Sequence, residues 1–222
     1  MPMDEALADV ALVGPYFSVG TDPDVADDPL WRPFTALQGR ALPDQIATVR
    51  LRIGATEPRV AASILFQGIA GRLWSPVLAT AAVHVTVPDL DPARTYWRAA
   101  SPGPIVLAAP GAGGLLADSD VVRRVVADRY LRPLVAAVRS ATPVAEGLLW
   151  GNAASALVGA LTVLAQAHPR PAVTGRRLVE ELLGTPPLRG TGVLESRGFR
   201  RRSCCLYYRI PGGGKCGDCA LR

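Results

Sequence analysis

Two stretches of the chain are apolar almost without interruption. Pro58 opens RVAASILFQGIAGRLW, broken only by Arg59, Gln67 and Arg72, and Pro76 opens VLATAAVHVTV directly behind it. Proline fits the first turn of a helix, so the pattern predicts two successive helices, and with no polar face left on either, both must be buried. The second stretch is PVAEGLLWGNAASALVGALTVLAQAH. Thr142, Pro143 and Glu146 stand there in the order expected for N-cap, first and fourth helical positions. Gly147 to Ala165 has the length of a membrane span, but Gly, Ala and Ser dominate it and no basic flank marks its near end. It reads as a core helix, with Asn152 as a polar residue that needs partners, either within its own helix or on a neighbouring segment.

Elsewhere apolar positions alternate with polar ones at helical spacing. Residues 4 to 13 carry Asp4 and Glu5 at the end that favours acids and stop at Gly14-Pro15. Asp118-Ser119-Asp120 caps VVRRVVADRYLRPLVAAVRS, whose Val121, Val122, Val125, Val126 and Tyr130 form one apolar stripe. Thr174 precedes GRRLVEELLG, which Gly184 and Pro186-Pro187 end. In LPDQIATVRLRI, Asp44 is a candidate cap, and the pattern fits a weak helix or an alternating strand. Thr95 to Ala99 and Ile105 to Ala108 read as strands around a Pro102-Gly103-Pro104 turn, and Thr191 to Phe199 and Leu206 to Ile210 as strands or extended arms. The whole is a mostly helical α+β domain with a few short strands: a helical scaffold over 1–196 and a cysteine-rich C-terminal segment over 197–222.

Several sites that local composition hints at lack the pattern they need. The acidic TDPDVADDPLWRPF has no twelve-residue calcium-loop spacing, so it reads as a loop leading to a Trp31 and Phe34 anchor. Gly111, Gly113 and Gly114 lack the Lys-Ser/Thr pair of a phosphate loop and read as a flexible loop without nucleotide. His84 has no second histidine nearby to make a metal site.

The net charge of +5 is unevenly distributed. Beyond residue 196 stand six Arg and Lys215 against Asp218 alone, so this tail carries +6 and the preceding chain −1. No helix-turn-helix, zinc-finger histidine pair or aromatic RNA-binding strand accompanies that charge, so nucleic acid is not the expected partner. The opening MPMDEALADV has neither basic n-region nor apolar run, which predicts a cytoplasmic, reducing setting.

All four cysteines lie in this basic tail. Cys204 and Cys205 are adjacent, ten residues separate Cys205 from Cys216, and two separate Cys216 from Cys219. Disulfides are disfavoured in a reducing compartment. Cys216-Gly217-Asp218-Cys219 fits one knuckle of a structural zinc site, whereas the adjacent pair does not fit the other. Neighbouring side chains on an extended strand point to opposite faces, so both can reach one centre only if the chain kinks there. A 2Fe-2S cluster, which spreads its ligand positions, a zinc ion and redox-active thiols all remain open on spacing alone.

The string RSCCLYYRIPGGGKCGDCAL resembles the C-terminal motif of the FhuF-type ferric-siderophore reductases, C-C-x10-C-x2-C without gaps, and Trp150-Gly151-Asn152 is similar to an upstream element of that family. The resemblance implies a cytoplasmic 2Fe-2S protein with Cys204, Cys205, Cys216 and Cys219 as cluster ligands. It further implies a one-electron oxidoreductase that releases iron from imported hydroxamate chelates. Its partners would be a ferric siderophore and an unidentified electron donor, with no transmembrane segment and at most peripheral membrane contact. The rivals are a zinc-stabilised binding module built on the same cysteines and a 2Fe-2S electron carrier to a protein partner. Arg200, Arg201, Arg202, Arg209 and Lys215 are expected near the cluster, where at least one of the first three would favour its reduced state.

Overall fold

The computed structural model describes residues 1–100, 103, 105–195 and 198–221. Its centre is α4 (Pro58–His84), buried over nearly its whole circumference as its unbroken apolar sequence requires. Pro76 does not divide this stretch in two. Its ring removes one backbone donor, yet packing on all sides holds the chain helical, and Thr80 Oγ1 donates to the Pro76 carbonyl at 2.9 Å. The helix stops where Val85 takes a left-handed conformation (φ 54°). There His84 Nε2 meets Asp9 Oδ2 at 2.9 Å, tying its end to α1 (Met3–Ala11).

Further helices pack around or beside α4. The 42–52 ambiguity resolves as a helix, α3 (Leu42–Arg52), in which Asp44 sits in the first turn and is not the cap. α7 (Glu146–Ala167) lies along α4 as its main partner, and α8 (Pro171–Leu183) closes over both. α7 starts later than Thr142 because Thr142 and Ala145 are extended and Val144 N–H turns back to the Thr142 carbonyl. α8 starts earlier than Thr174, since Pro171 is itself suited to a first turn. α7 is long and apolar enough to cross a membrane, and most of it is buried inside this fold. Ahead of α7, a short helix α5 (Ser119–Val122), capped by Asp118 as expected, runs through a π-helical stretch (Arg123–Leu131) into α6 (Arg132–Ala141). Pro133 lacks the N–H that would pair with the Arg129 carbonyl, and Gln38 Nε2 donates to that carbonyl and to Tyr130's instead.

Strands are short. β1 (Val19–Gly20), β5 (Ile105–Ala108), β4 (Tyr96–Ala99) and β2 (Arg32–Pro33) form a sheet in that order, with β1 parallel to β5 and the rest antiparallel. Val19 and Trp97 both face Leu107 in register, and β2 leads into the short helix α2 (Phe34–Leu37), which buries Phe34 in the core. Pro102 and Pro104 of the anticipated turn lie outside the described residues. β3 (Thr86–Pro88) pairs with β6 (Gly114–Leu116), so the glycine loop ends in a strand. β7 (Gly192–Glu195) and β8 (Gly198–Arg201) make a hairpin, with Ser196 and Arg197 outside the described residues. Leu206 to Ile210 is not a strand: Leu206 is left-handed (φ 68°) and Tyr207–Arg209 forms a single 3-10 turn. The fold is thus α+β and mostly helical, with a cysteine-rich C-terminal arm.

The apolar core is drawn almost entirely from before residue 189; the arm adds Phe199, Cys205 and Cys219. Loss of metal should therefore be local. Far-ultraviolet circular dichroism of the apo-protein is expected to keep most of its helical signal, and a global collapse would show that the arm's metal holds the scaffold together.

Candidate metal centre

The arm reaches the scaffold through one buried cation. Arg201 ends β8, its side chain is fully excluded from solvent, and every guanidinium nitrogen is met. Nε donates to Asp218 Oδ2 at 3.0 Å and Nη2 to Asp218 Oδ1 at 3.2 Å, a forked carboxylate pairing within the arm. Nη1 donates to Asn152 Oδ1 at 2.6 Å and Nη2 to Ser155 Oγ, both on α7. Asn152 in turn donates through Nδ2 to Ser63 on α4, at 3.0 Å to its carbonyl and 2.9 Å to its hydroxyl, and Ser63 Oγ donates to the Cys205 carbonyl at 2.7 Å. Asn152 therefore holds the cysteine segment and not its own helix. Burial alone would raise the Asp218 carboxyl, but bonds from Ser155 and Arg201 hold it below its ordinary value.

Close approach completes the seat. A Cβ on Gly151 would lie 2.3 Å from Ser203 Oγ, so the helix must present a bare backbone where Ser203 packs and donates to the Gly147 carbonyl. The middle residue of Trp150-Gly151-Asn152 is there for space, and the last for hydrogen bonds. On the far side of the arm, Arg209 Nη1 donates to Glu57 Oε1 at 2.6 Å, clasping the 3-10 turn to the start of α4.

The arm seated by these contacts carries the four thiols, two of them buried (Cys205, Cys219) and two half-buried (Cys204, Cys216), none in a disulfide. The chain kinks immediately after the adjacent pair: the left-handed turn at Leu206 brings its N–H to Cys204 Sγ at 3.4 Å. The Cys216–Cys219 knuckle closes through Cys219 N–H on the Cys216 carbonyl, and Leu221 N–H reaches Cys219 Sγ at 3.4 Å. Cys205 Sγ lies 3.6 Å from Cys216 Sγ. A disulfide would need about 2.05 Å; two thiolates on one tetrahedral metal, at about 2.3 Å each, stand about 3.8 Å apart. Burial pushes the Cys204 thiol up, as it does Cys216, where bonds to Asp218 and Cys205 add to the effect and Arg201 opposes it. Cys204 and Cys216 thus resist ionisation unaided, and Cys204 and Cys219 carry N–H donors at sulfur; a cationic metal core would take such thiols as thiolates. Among the described residues, no three Cys, His, Asp or Glu side chains already converge as on a single ion.

Of the cations expected here, only Arg201 is buried beside the thiols. Arg200 is exposed and pairs with Glu195, Arg209 is turned to Glu57, and Arg202 and Lys215 face solvent. Asp218 offsets the Arg201 charge, so the pair acts on the thiols as a dipole and not as a free positive charge. The sequence reading missed Ser63, Ser155 and Asp218. Their signal was a polar and small-residue stripe at Ser63, Gln67, Gly71 and Ser75, four apart in an otherwise apolar helix.

Residues 201–221 match the family model described as the FhuF 2Fe-2S C-terminal domain, consistent with the FhuF-type family, and the match indicates a 2Fe-2S cluster as the cofactor. Comparison with curated proteins finds no match for the chain.

Removing either member of the Arg201–Asp218 pair strands a buried charge, at a cost of about 3–5 kcal/mol. Arg201→Gln and Asp218→Asn are each expected to shed visible cluster absorption under chelator challenge while the helical signal persists, and Arg201→Met with Asp218→Leu to recover part of the loss. Equal loss in the single and double variants would refute the pairing. Gly151→Ala is expected to act in the same direction by displacing Ser203; unchanged cluster retention would show that the close approach is dispensable.

Proposed function

We propose that the protein is a cytoplasmic one-electron reductase of ferric siderophores, with Cys204, Cys205, Cys216 and Cys219 as the ligands of its cluster. The observation that carries this reading is that Cys205 and Cys216 form part of the wall of a cleft of about 680 Å³. A bound 2Fe-2S centre supplies single electrons. Hydroxamate oxygens are hard donors that hold Fe(III) tightly and Fe(II) poorly, so one electron turns the trapped ion into a labile one. The chelate's iron is the substrate and is reduced from Fe(III) to Fe(II); an external donor restores the electron.

The chain's own residues then have positioning tasks. Arg201, Asn152 and Ser63 fix the cysteine backbone against two rigid helices, and the Leu206 and Leu221 N–H groups stabilise added negative charge at the sulfurs. No acid, base or nucleophile is required by this chemistry. A cleft beside the thiols favours a small-molecule acceptor over the carrier role, in which electrons would leave through a protein contact.

Each single Cys→Ser variant is expected to lose or destabilise the cluster, read by absorption and EPR after anaerobic purification; a Cys204→Ser protein with native spectra would remove Cys204 from the ligand set. Dithionite-reduced protein mixed with ferric hydroxamate chelates is expected to reoxidise with one Fe(II) released per electron. Absence of reoxidation by any ferric chelate, with rapid oxidation by a protein acceptor, would replace the reductase with the carrier.

A further inference from the structure

The cysteine arm has a side that the cleft does not reach. Cys205 and Cys216 line the cleft, whereas Cys204 is half-buried without being one of its lining residues, so its remaining exposure opens elsewhere. Two residues before it, β8 runs out into Arg202. Side chains alternate here: Phe199 and Arg201 are buried, Arg200 and Arg202 exposed. Directly across the ladder from Arg200 stands Val193, 44% exposed and on the same face. Arg202 N–H donates to the Thr191 carbonyl at 2.8 Å, and its Nη1 lies 3.9 Å from where a Cβ on Gly190 would stand. The guanidinium is thus folded over the turn before β7, beside the exposed Arg189.

The cations of this region divide by what they meet. Asp218 pairs with Arg201, Glu195 with Arg200 and Glu57 with Arg209. Arg189, Arg202 and Lys215 are exposed and, among the described residues, take part in no ion pair. The outer face of the β7–β8 hairpin is therefore positive, with Arg189 and Arg202 brought together on it. It lies near the thiols, since the two residues from Arg202 to Cys204 span at most about 7 Å. It is also fixed to them: Arg201 N–H donates to the Asp218 carbonyl at 3.1 Å, joining the hairpin's edge to the Cys216–Cys219 knuckle. Such a face suits an acidic protein surface better than a bilayer. Val193 is the hairpin's one exposed large apolar side chain among the described residues, and an interfacial anchor needs a whole apolar face.

We propose that the β7–β8 face docks the electron donor, an acidic one-electron carrier protein whose carboxylates meet Arg189 and Arg202 while Val193 packs beside them. The proposal rests on the reductase reading above and adds to it the class of the donor and the surface it uses. A folded protein cannot enter a cleft of about 680 Å³, and a chelate seated there would stand in its way. A separate face lets donor and acceptor be bound together. One electron passes from the donor's centre to the arm's, oxidising the first and reducing the second, with no atom or proton transferred. Complementary charge steers the encounter and fixes its orientation, and the attraction fades as salt screens exposed charges beyond about 8 Å.

Binding is tested with both proteins oxidised, so that no electron moves. Cluster-loaded protein is titrated by calorimetry with an acidic plant-type ferredoxin and, separately, with an acidic flavodoxin, at low and at physiological salt. Saturable binding to at least one of them at low salt is expected, weakening as salt rises. Arg202→Glu and Arg189→Glu are each expected to lose about tenfold in affinity with cluster absorption and helical signal unchanged, and the milder Arg202→Gln to lose less in the same direction. Arg170→Glu makes the same change of charge beyond the far end of α7, about 30 Å of helix from the Gly147 that Ser203 meets, and is expected to bind as the wild type does. Absence of saturable binding to either carrier, or equal weakening by Arg170→Glu, overturns the docking face. Arg202-dependent binding to phosphatidylglycerol vesicles with no binding to either carrier overturns it in favour of a membrane contact. Reduction by dithionite bypasses the donor and separates this proposal from the reductase reading. Reoxidation by ferric hydroxamates without carrier binding removes the face and leaves the reductase, whereas Arg202-dependent carrier binding without reoxidation by any ferric chelate removes the reductase and leaves the face.

Discussion

A guanidinium taken out of water must be met on every side, and Arg201 is met by groups from two parts of the chain that are otherwise weakly joined. Asp218 comes from the arm itself, and Asn152 and Ser155 come from α7. A buried ion pair is a poor source of net stability compared with apolar packing of the same shape. Its value here is directional. Hydrogen bonds through a planar fork admit one orientation, and the thiols before and after it inherit that orientation. An apolar anchor would hold the arm as firmly and leave it free to slide.

The site is written on two facing stripes. Ser63, Gln67, Gly71 and Ser75 follow one another at four-residue spacing on α4; Asn152, Ser155, Gly159 and Val163 do so at three or four on α7. The two stripes meet directly where Gln67 Nε2 reaches Ser155 Oγ at 3.3 Å. The upper turns of each stripe hold the arm, and the lower turns line the cleft. Small and polar residues thus mark the two most apolar helices where they face one another across the site.

Much of this was legible in the sequence, and the exceptions share a cause. Continuous apolar runs identified the core helices, and four clustered cysteines in a basic tail marked out the candidate metal site, because these signals are local. Pro76 misled because its cost of a single backbone bond is outweighed by burial around the whole helix. Leu206 misled because the run Leu206-Tyr207-Tyr208-Arg209-Ile210, with two aromatics and Ile210, reads as strand, while the packing of the arm forces a left-handed turn there. The cations misled most. Adjacent arginines are equivalent to a reader of composition, yet one is buried with a carboxylate seventeen residues on, and its neighbours on either side point outward, as alternation along β8 requires.

One wall of the cleft belongs to the arm and the others to the scaffold. Any molecule seated there touches both, so it binds the docked arm and not a displaced one. Thermodynamic reciprocity then applies: whatever factor the docked arm adds to the ligand's affinity, the ligand returns to the docking equilibrium. An occupied cleft would hold Arg201 and its partners closed over the thiols, and an empty one would leave the metal centre guarded only by the strength of that polar network.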